Sequence, residues 1–328
     1  MDGVIVTFDE FLAHLNNHMD DLRSEVITND KLYSEEDYPK LKAVLVEAAS
    51  KLERNISKLH LFYSNLTVDA LIPLMKDTEA VVVTVVQGAR LFMSCGLTSA
   101  AKKEVVTGVE LINEALVGLI DHCKKCYLDK CPSLAPSMTG AVWDSCKRLN
   151  NLSDSNKKAC MKEALQKVSV VRDTYKECSS YLADEDDDDW DDLLDDVDMS
   201  DLGEEAEESP SEQVAQSIVS SLENMQRVLE SVFKLYASLP TVIPRALIPR
   251  LDAVSESLSV ACEDADALGV MVYGSGKEDK AAVEKAQRDW SELGERVKAL
   301  KMEGEKEKAF EEALEKNAEA LRGVLSVL

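Results

Sequence analysis

Between Leu41 and Leu66 an apolar side chain returns every three or four residues: Leu41, Val44, Leu45, Ala48, Leu52, Ile56, Leu59, Tyr63 and Leu66. That period places all of them on one face of an α-helix. The helix opens near Ser34, with Asp37 three residues on and Pro39 in its first turn. About 28 residues at 1.5 Å each make it roughly 42 Å long. Helices of that length belong to bundles more often than to compact mixed folds.

The same period recurs along the chain. Phe8, Phe11, Leu12, Leu15, Met19, Leu22 and Val26 form a first stripe, with Thr7 and Glu10 spaced as a capping box. A third helix ends at Gly96 and includes Ala80–Val86, "AVVVTVV", which reads as helix because helical patterns flank it and no partner strand exists. Thr98 caps a fourth, with Val105, Val109, Ile112, Leu116 and Leu119 on one face. Cys131–Gly140 carries two prolines and reads as a loop. A short helix over 142–149 follows, then a turn. Ser153 starts a long helix bearing Met161, Leu165, Val168, Val171, Tyr175 and Cys178.

Beyond Pro210 four more stripes appear. Val214, Ile218, Leu222, Met225, Leu229, Val232 and Tyr236 form one; Leu247, Leu251, Val254, Leu258, Cys262 and Leu268 the next. Val283, Trp290, Leu293, Val297 and Leu300 form a third, and Phe310 to Leu328 a fourth. No alternating run or hairpin signal is present. The expected fold class is all-α.

Sixteen of the 25 residues from Asp184 to Glu208 are acidic and none is basic. Carboxylates that repel one another do not pack, so this stretch reads as a disordered acidic linker. It divides the 328 residues into two bundles of long antiparallel helices, 1–182 and 212–328, with a linker at 183–211. Trp190, Leu193, Leu194 and Val197 sit among the charges and would share a face if the segment turned helical on a partner. Ser209-Pro210 is a minimal proline-directed phosphorylation site.

The net charge is −25, and −9 without the acidic run. No basic stripe offsets it, so neither nucleic acid nor an anionic membrane is an expected direct partner. No apolar run approaches the roughly 20 residues of a membrane span, and no signal peptide opens the chain. The expected setting is intracellular, where eight cysteines are more often reduced than bridged.

Chemistry-bearing motifs are sparse. Cys123, Cys126 and Cys131 beside His122 resemble half of a zinc site or a redox pair, or are buried small residues that happen to cluster. His14 and His18 are four residues apart and could share a metal, but they lie off the apolar stripe. Gly269–Lys277 imitates a phosphate loop yet carries Ser275 where the lysine is needed, with no preceding strand. No catalytic constellation is found and no cofactor is called for, which points to a binding protein and not an enzyme.

Leu293, Leu300, Leu314, Leu321 and Leu328 share a seven-residue register, broken at Glu307 and interrupted by Gly304. Such a zipper-like pattern serves a partner surface or the interior of a bundle. Residues 142–182 read as helix, loop and long helix. No basic helix precedes them, so the unit could pair with a helical protein but not grip phosphates.

The stretch from Gly140 to Cys178, with Val142-Trp143, the turn from Asp154 to Lys157 and the long helix after it, resembles the GCIP family of cyclin-D-binding proteins. The acidic insert that follows agrees with the resemblance. It implies an all-helical regulator of nucleus and cytoplasm that binds a D-type cyclin and restrains cell-cycle progression. It also implies helix-loop-helix transcription factors as partners, antagonised without contact to DNA. The alternative from the helical pattern alone is a vinculin- or catenin-like adaptor. Candidate partner contacts are Trp190, Leu193, Leu194 and Val197 in the acidic run and Leu300, Leu314, Leu321 and Leu328 in the zipper.

Overall fold

The computed structural model describes residues 3–23, 37–65, 67–131, 133–184, 212–273, 279–300 and 305–328. Among them are ten α-helices and no strand, so the chain is all-α. The helices are α1 (Gly3–Arg23), α2 (Tyr38–Phe62), α3 (Val68–Ser94), α4 (Ser99–Leu128), α5 (Pro136–Asn150), α6 (Asn156–Asp184), α7 (Glu212–Ser238), α8 (Ile248–Met271), α9 (Asp279–Lys298) and α10 (Glu305–Val327). Helix α6 takes in Ala183 and Asp184 of the expected acidic linker; its residues 185–211, with Trp190, Leu193, Leu194, Val197 and Ser209, lie outside the described residues.

Two compact units emerge, residues 1–159 with 241–248, and residues 160–240 with 249–328. The first holds α1 to α5. Asn55 on α2 donates to Asp77 on α3, while Gly88 backs onto Leu45, so these two helices run antiparallel. His14 meets Glu79 and Gly3 meets Val68, which makes α1 parallel to α3. Glu110 with Arg23 sets α4 antiparallel to α1, and Leu149 against Gly108 sets α5 antiparallel to α4. The result is an up-and-down bundle around Phe8, Leu45, Leu52, Val85, Phe92 and Leu116, all buried.

The second unit holds most of α6 and all of α7, α9 and α10. Sequence places the first boundary at 182, where the acidic run begins, but the compact units divide at 159/160. Glu163 accepts from Ser255, Thr174 donates to Asp266, and Arg172 pairs with Glu230. These contacts hold α6 to α8 and α7. A run of repelling charge shows where chain cannot pack; it does not say which bundle the helix before it joins.

Local signals fared unevenly. All seven residues of the first stripe beyond Pro210 are buried on α7. Thr98 caps α4 as expected, accepting from the Ala101 N–H, and is held in turn by Asn156 Oδ1 on both its N–H and its hydroxyl. "AVVVTVV" is helical within α3. Thr7, by contrast, caps nothing: α1 starts at Gly3, and the Thr7 hydroxyl donates back to the Gly3 carbonyl. Ser34 lies outside the described residues, and α2 starts at Tyr38 with Pro39 in its first turn. Helix α5 begins at Pro136, inside the expected loop, because a proline at the first helical position is preset for the helix. Helix α6 starts at Asn156, not Ser153.

On α6 the buried face is Cys160, Ala164, Val168, Val171 and Cys178, and Leu165 points outward at 54% exposure. Glu163, not Leu165, sits against α8, since its carboxylate has a partner there in Ser255. Val44 of the founding stripe is exposed as well.

At the α5–α6 turn the Asp154 carboxylate accepts from Lys158 and Lys42 at 2.7 and 2.6 Å. The Lys158 bond first, then Lys42, holds its carboxyl down at about 2. A depressed carboxylate stabilises the fold above its ordinary pKa and loses that contribution as pH falls through the folded value. Asp154→Asn should therefore cost no more than about 1 kcal/mol at neutral pH, because the pair is exposed. Urea titrations at successive pH values should show the gap from wild type closing between about pH 4 and 2.

Candidate interaction surfaces

Three bonds gather helix ends at one pole of the first unit. His60 at the end of α2 lies 3.0 Å from the Thr139 hydroxyl on α5. Tyr63, in the 3-10 turn after α2, donates from its hydroxyl to the Cys123 carbonyl of α4. His122 accepts from the Ala135 N–H that precedes α5. Around these ties stand large apolar side chains in water: Leu61 at 73%, Phe62 at 59% and Leu128 at 61% exposure. Single exposed apolar residues are ordinary. Three at the same end of one bundle make a candidate contact surface. The signal in the sequence was that Leu61 and Phe62 fall off the Leu41–Leu66 stripe, which leaves them facing away from the core.

Helix α5 turns Val142, Cys146 and Leu149 inward and Trp143 outward. The helix-loop-helix reading therefore has the inner face of α5 spent on the bundle, and Trp143 is the large apolar side chain that α5 shows to solvent.

The cysteine cluster lies beside this surface. Cys123 is fully buried, and burial pushes its thiol up to about 12. Cys126 is pushed up for the same reason and sits 3.4 Å from His122 Nε2. Raised thiols hold little thiolate, the form that attacks and that binds metal. None of the eight cysteines is bridged. Among the described residues no group of three or more His, Cys, Asp or Glu side chains is placed to hold a metal. His14 and His18 converge on the Glu79 carboxylate at 2.8 and 3.8 Å.

The zipper register spans two helices. Leu293 lies on α9, Leu300 just beyond it, and Leu314 and Leu321 on α10. Leu293, Leu300 and Leu321 are core residues, Leu314 is half-buried, and Leu328 is 44% exposed. Gly269 of the supposed phosphate loop is a buried residue within α8. Among the described residues no helix is long and apolar enough to cross a membrane.

A family model described as "Grap2 and cyclin-D-interacting, N-terminal" matches residues 44–184. Residues 44–184 are similar to that family. The match runs from α2 to the end of α6 and includes Leu61, Phe62, Leu128 and Trp143. No curated protein matches the chain. That similarity supports, at a coarse level, a role in protein–protein interaction. The zipper leucines Leu300, Leu314, Leu321 and Leu328 fall outside the matched residues.

Proposed function

We propose that the protein is a non-enzymatic regulator that binds a D-type cyclin through the exposed apolar pole of its first unit. The family's description as cyclin-D-interacting carries this reading, and Leu61, Phe62 and Leu128 within the matched residues supply apolar area for a contact. A role in nucleus and cytoplasm, restraining cell-cycle progression, follows from that partner. Helix-loop-helix factors are a second partner class, for which α5 offers Trp143.

The direct test is calorimetry of the full chain with a purified D-type cyclin. Binding at tens of micromolar or tighter is expected. Leu61→Ser, Phe62→Ser and Leu128→Ser together should weaken it at least tenfold, about 1.4 kcal/mol, with the helical circular dichroism unchanged. Silence at that concentration defeats the reading. Recovery of actin-linked proteins with no cyclin from native extracts would favour an adaptor instead.

A further inference from the structure

Helix α4 ends in a turn that two cysteines close. Cys131 donates its N–H to the Cys126 carbonyl at 2.8 Å, and Lys130 donates to the Tyr127 carbonyl at 3.3 Å. Lys130 has φ 55, in the left-handed region. Those two bonds and that φ make a Schellman ending, in which side chains at the positions of Cys126 and Cys131 commonly touch. Covalent geometry keeps two Cα atoms joined through such a hydrogen bond within about 6.7 Å of each other. A disulfide spans about 4.4–6.8 Å between Cα atoms. The Cys126 thiol already donates a hydrogen bond to Cys131 Sγ.

This is not the pair that sequence spacing suggests. Cys123 and Cys126 have the Cys-x-x-Cys spacing, yet both face the interior from within α4. Cys131 lies beyond the helix and is the one cysteine of the eight that is not buried. The two thiols therefore divide the work. Cys131 meets what arrives from water, and Cys126 waits in contact behind it.

A hydroperoxide is the co-reactant. The Cys131 thiolate attacks the terminal peroxide oxygen, the O–O bond breaks, and the departing oxyanion takes up the Cys131 proton. Cys131 is left as a sulfenic acid. Cys126 Sγ then attacks that sulfur, the S–O bond breaks, and the hydroxyl leaves as water with the Cys126 proton. Two thiols lose two electrons and two protons, and the peroxide gains them. Contact between the sulfurs favours this second step over further oxidation of Cys131.

The ring so closed contains Leu128, which is 61% exposed at the pole of the first unit. In the reduced chain, backbone hydrogen bonds hold the turn against the strain of a lysine in a conformation that favours glycine. A disulfide makes the closure covalent.

We infer that Cys126 and Cys131 form a reversible dithiol–disulfide pair, oxidised by hydroperoxides and reduced by dithiols, that locks the C-terminal turn of α4 with Leu128 inside it. The inference uses the turn alone and does not depend on cyclin binding.

The test treats reduced full chain with stoichiometric hydrogen peroxide, blocks the remaining thiols with N-ethylmaleimide and maps tryptic peptides by mass spectrometry. Trypsin cuts after Lys125 and Lys130, so the disulfide should appear as peptide 126–130 joined to the peptide that begins at Cys131. Dithiothreitol should part them. Amide hydrogen exchange across 128–131 should slow at least tenfold on oxidation. Cys131→Ser should abolish both the joined peptides and the slowing. Cys126→Ser should leave Cys131 as a sulfenic acid, captured by dimedone. Over-oxidation of Cys131 with Cys126 still free, a bond from Cys126 to Cys123, or bonds only between chains overturns the inference. A Cys126–Cys131 bond that leaves the exchange unchanged overturns the lock.

Discussion

Phe92→Ala should destabilise the first unit by about 3–5 kcal/mol, the range for removing a fully buried aromatic ring. Phe92 is 0% exposed and meets Tyr38 edge-on, with ring centroids 5.2 Å apart. Tyr38 is the first residue of α2 and equally buried, so this contact joins the start of one long helix to the end of another. Removing the ring forfeits the apolar transfer energy, leaves a void in a bundle already close-packed, and unpairs Tyr38. Phe92→Leu keeps most of the apolar volume and loses mainly the ring pair, about 0.5–1.5 kcal/mol. A surface control, Leu165→Ala, should stay within about 0.5 kcal/mol. A chain with two compact units does not have one global unfolding free energy. The readout is therefore the urea step reported by the fluorotryptophan NMR signal of Trp143, which lies in the same unit as Phe92. An unchanged midpoint for Phe92→Ala would show that the ring is not in the core.

Helical period was the most legible property of the chain. The α7 stripe reads correctly at every position because each residue faces one continuous interior. Legibility fell wherever tertiary contacts overrode a local rule. Leu165 is apolar and correctly spaced, yet Glu163 takes the inward position because Ser255 on α8 can satisfy it. Thr7 and Glu10 have capping-box spacing, but the helix extends one turn further back. Capping rules are blind to what lies upstream. The acidic run marks a stretch of mutually repelling charge, whereas the compact units divide at 159/160. On the candidate surfaces, Leu61 and Phe62 were visible as departures from the stripe. Leu128 had no such mark. The zipper leucines read equally as a partner surface or a bundle interior, because a register counted along the sequence does not say which helix each one faces; Leu293, Leu300 and Leu321 are buried.

Gly269→Ala should destabilise the second unit by about 1–2 kcal/mol, and the sign should reverse when Thr174 is changed to serine. Gly269 lies on the buried face of α8, and a Cβ added there would fall inside contact distance of the Thr174 Cγ2 on α6. Overpacking of this kind costs about 1–3 kcal/mol. It belongs at the upper end here, because Thr174 is not free to swing away. Its hydroxyl donates to Asp266 Oδ1 at 2.9 Å and lies 3.3 Å from the Val170 carbonyl, and a β-branched side chain has few rotamers to choose from. Against the clash stands the gain of about 1 kcal/mol for replacing glycine by alanine inside a helix. Thr174→Ser removes the offending methyl and keeps the hydroxyl, so the same substitution should then stabilise by up to about 1 kcal/mol. A double-mutant cycle, read from the fluorotryptophan signal of Trp290 during unfolding, should give a coupling of about 1–3 kcal/mol. Additive effects would mean that α6 and α8 do not meet at this glycine. The cycle also decides what Gly269 is for. A glycine required by a phosphate loop would be indifferent to Thr174, whereas one required by helix packing is tied to that methyl group.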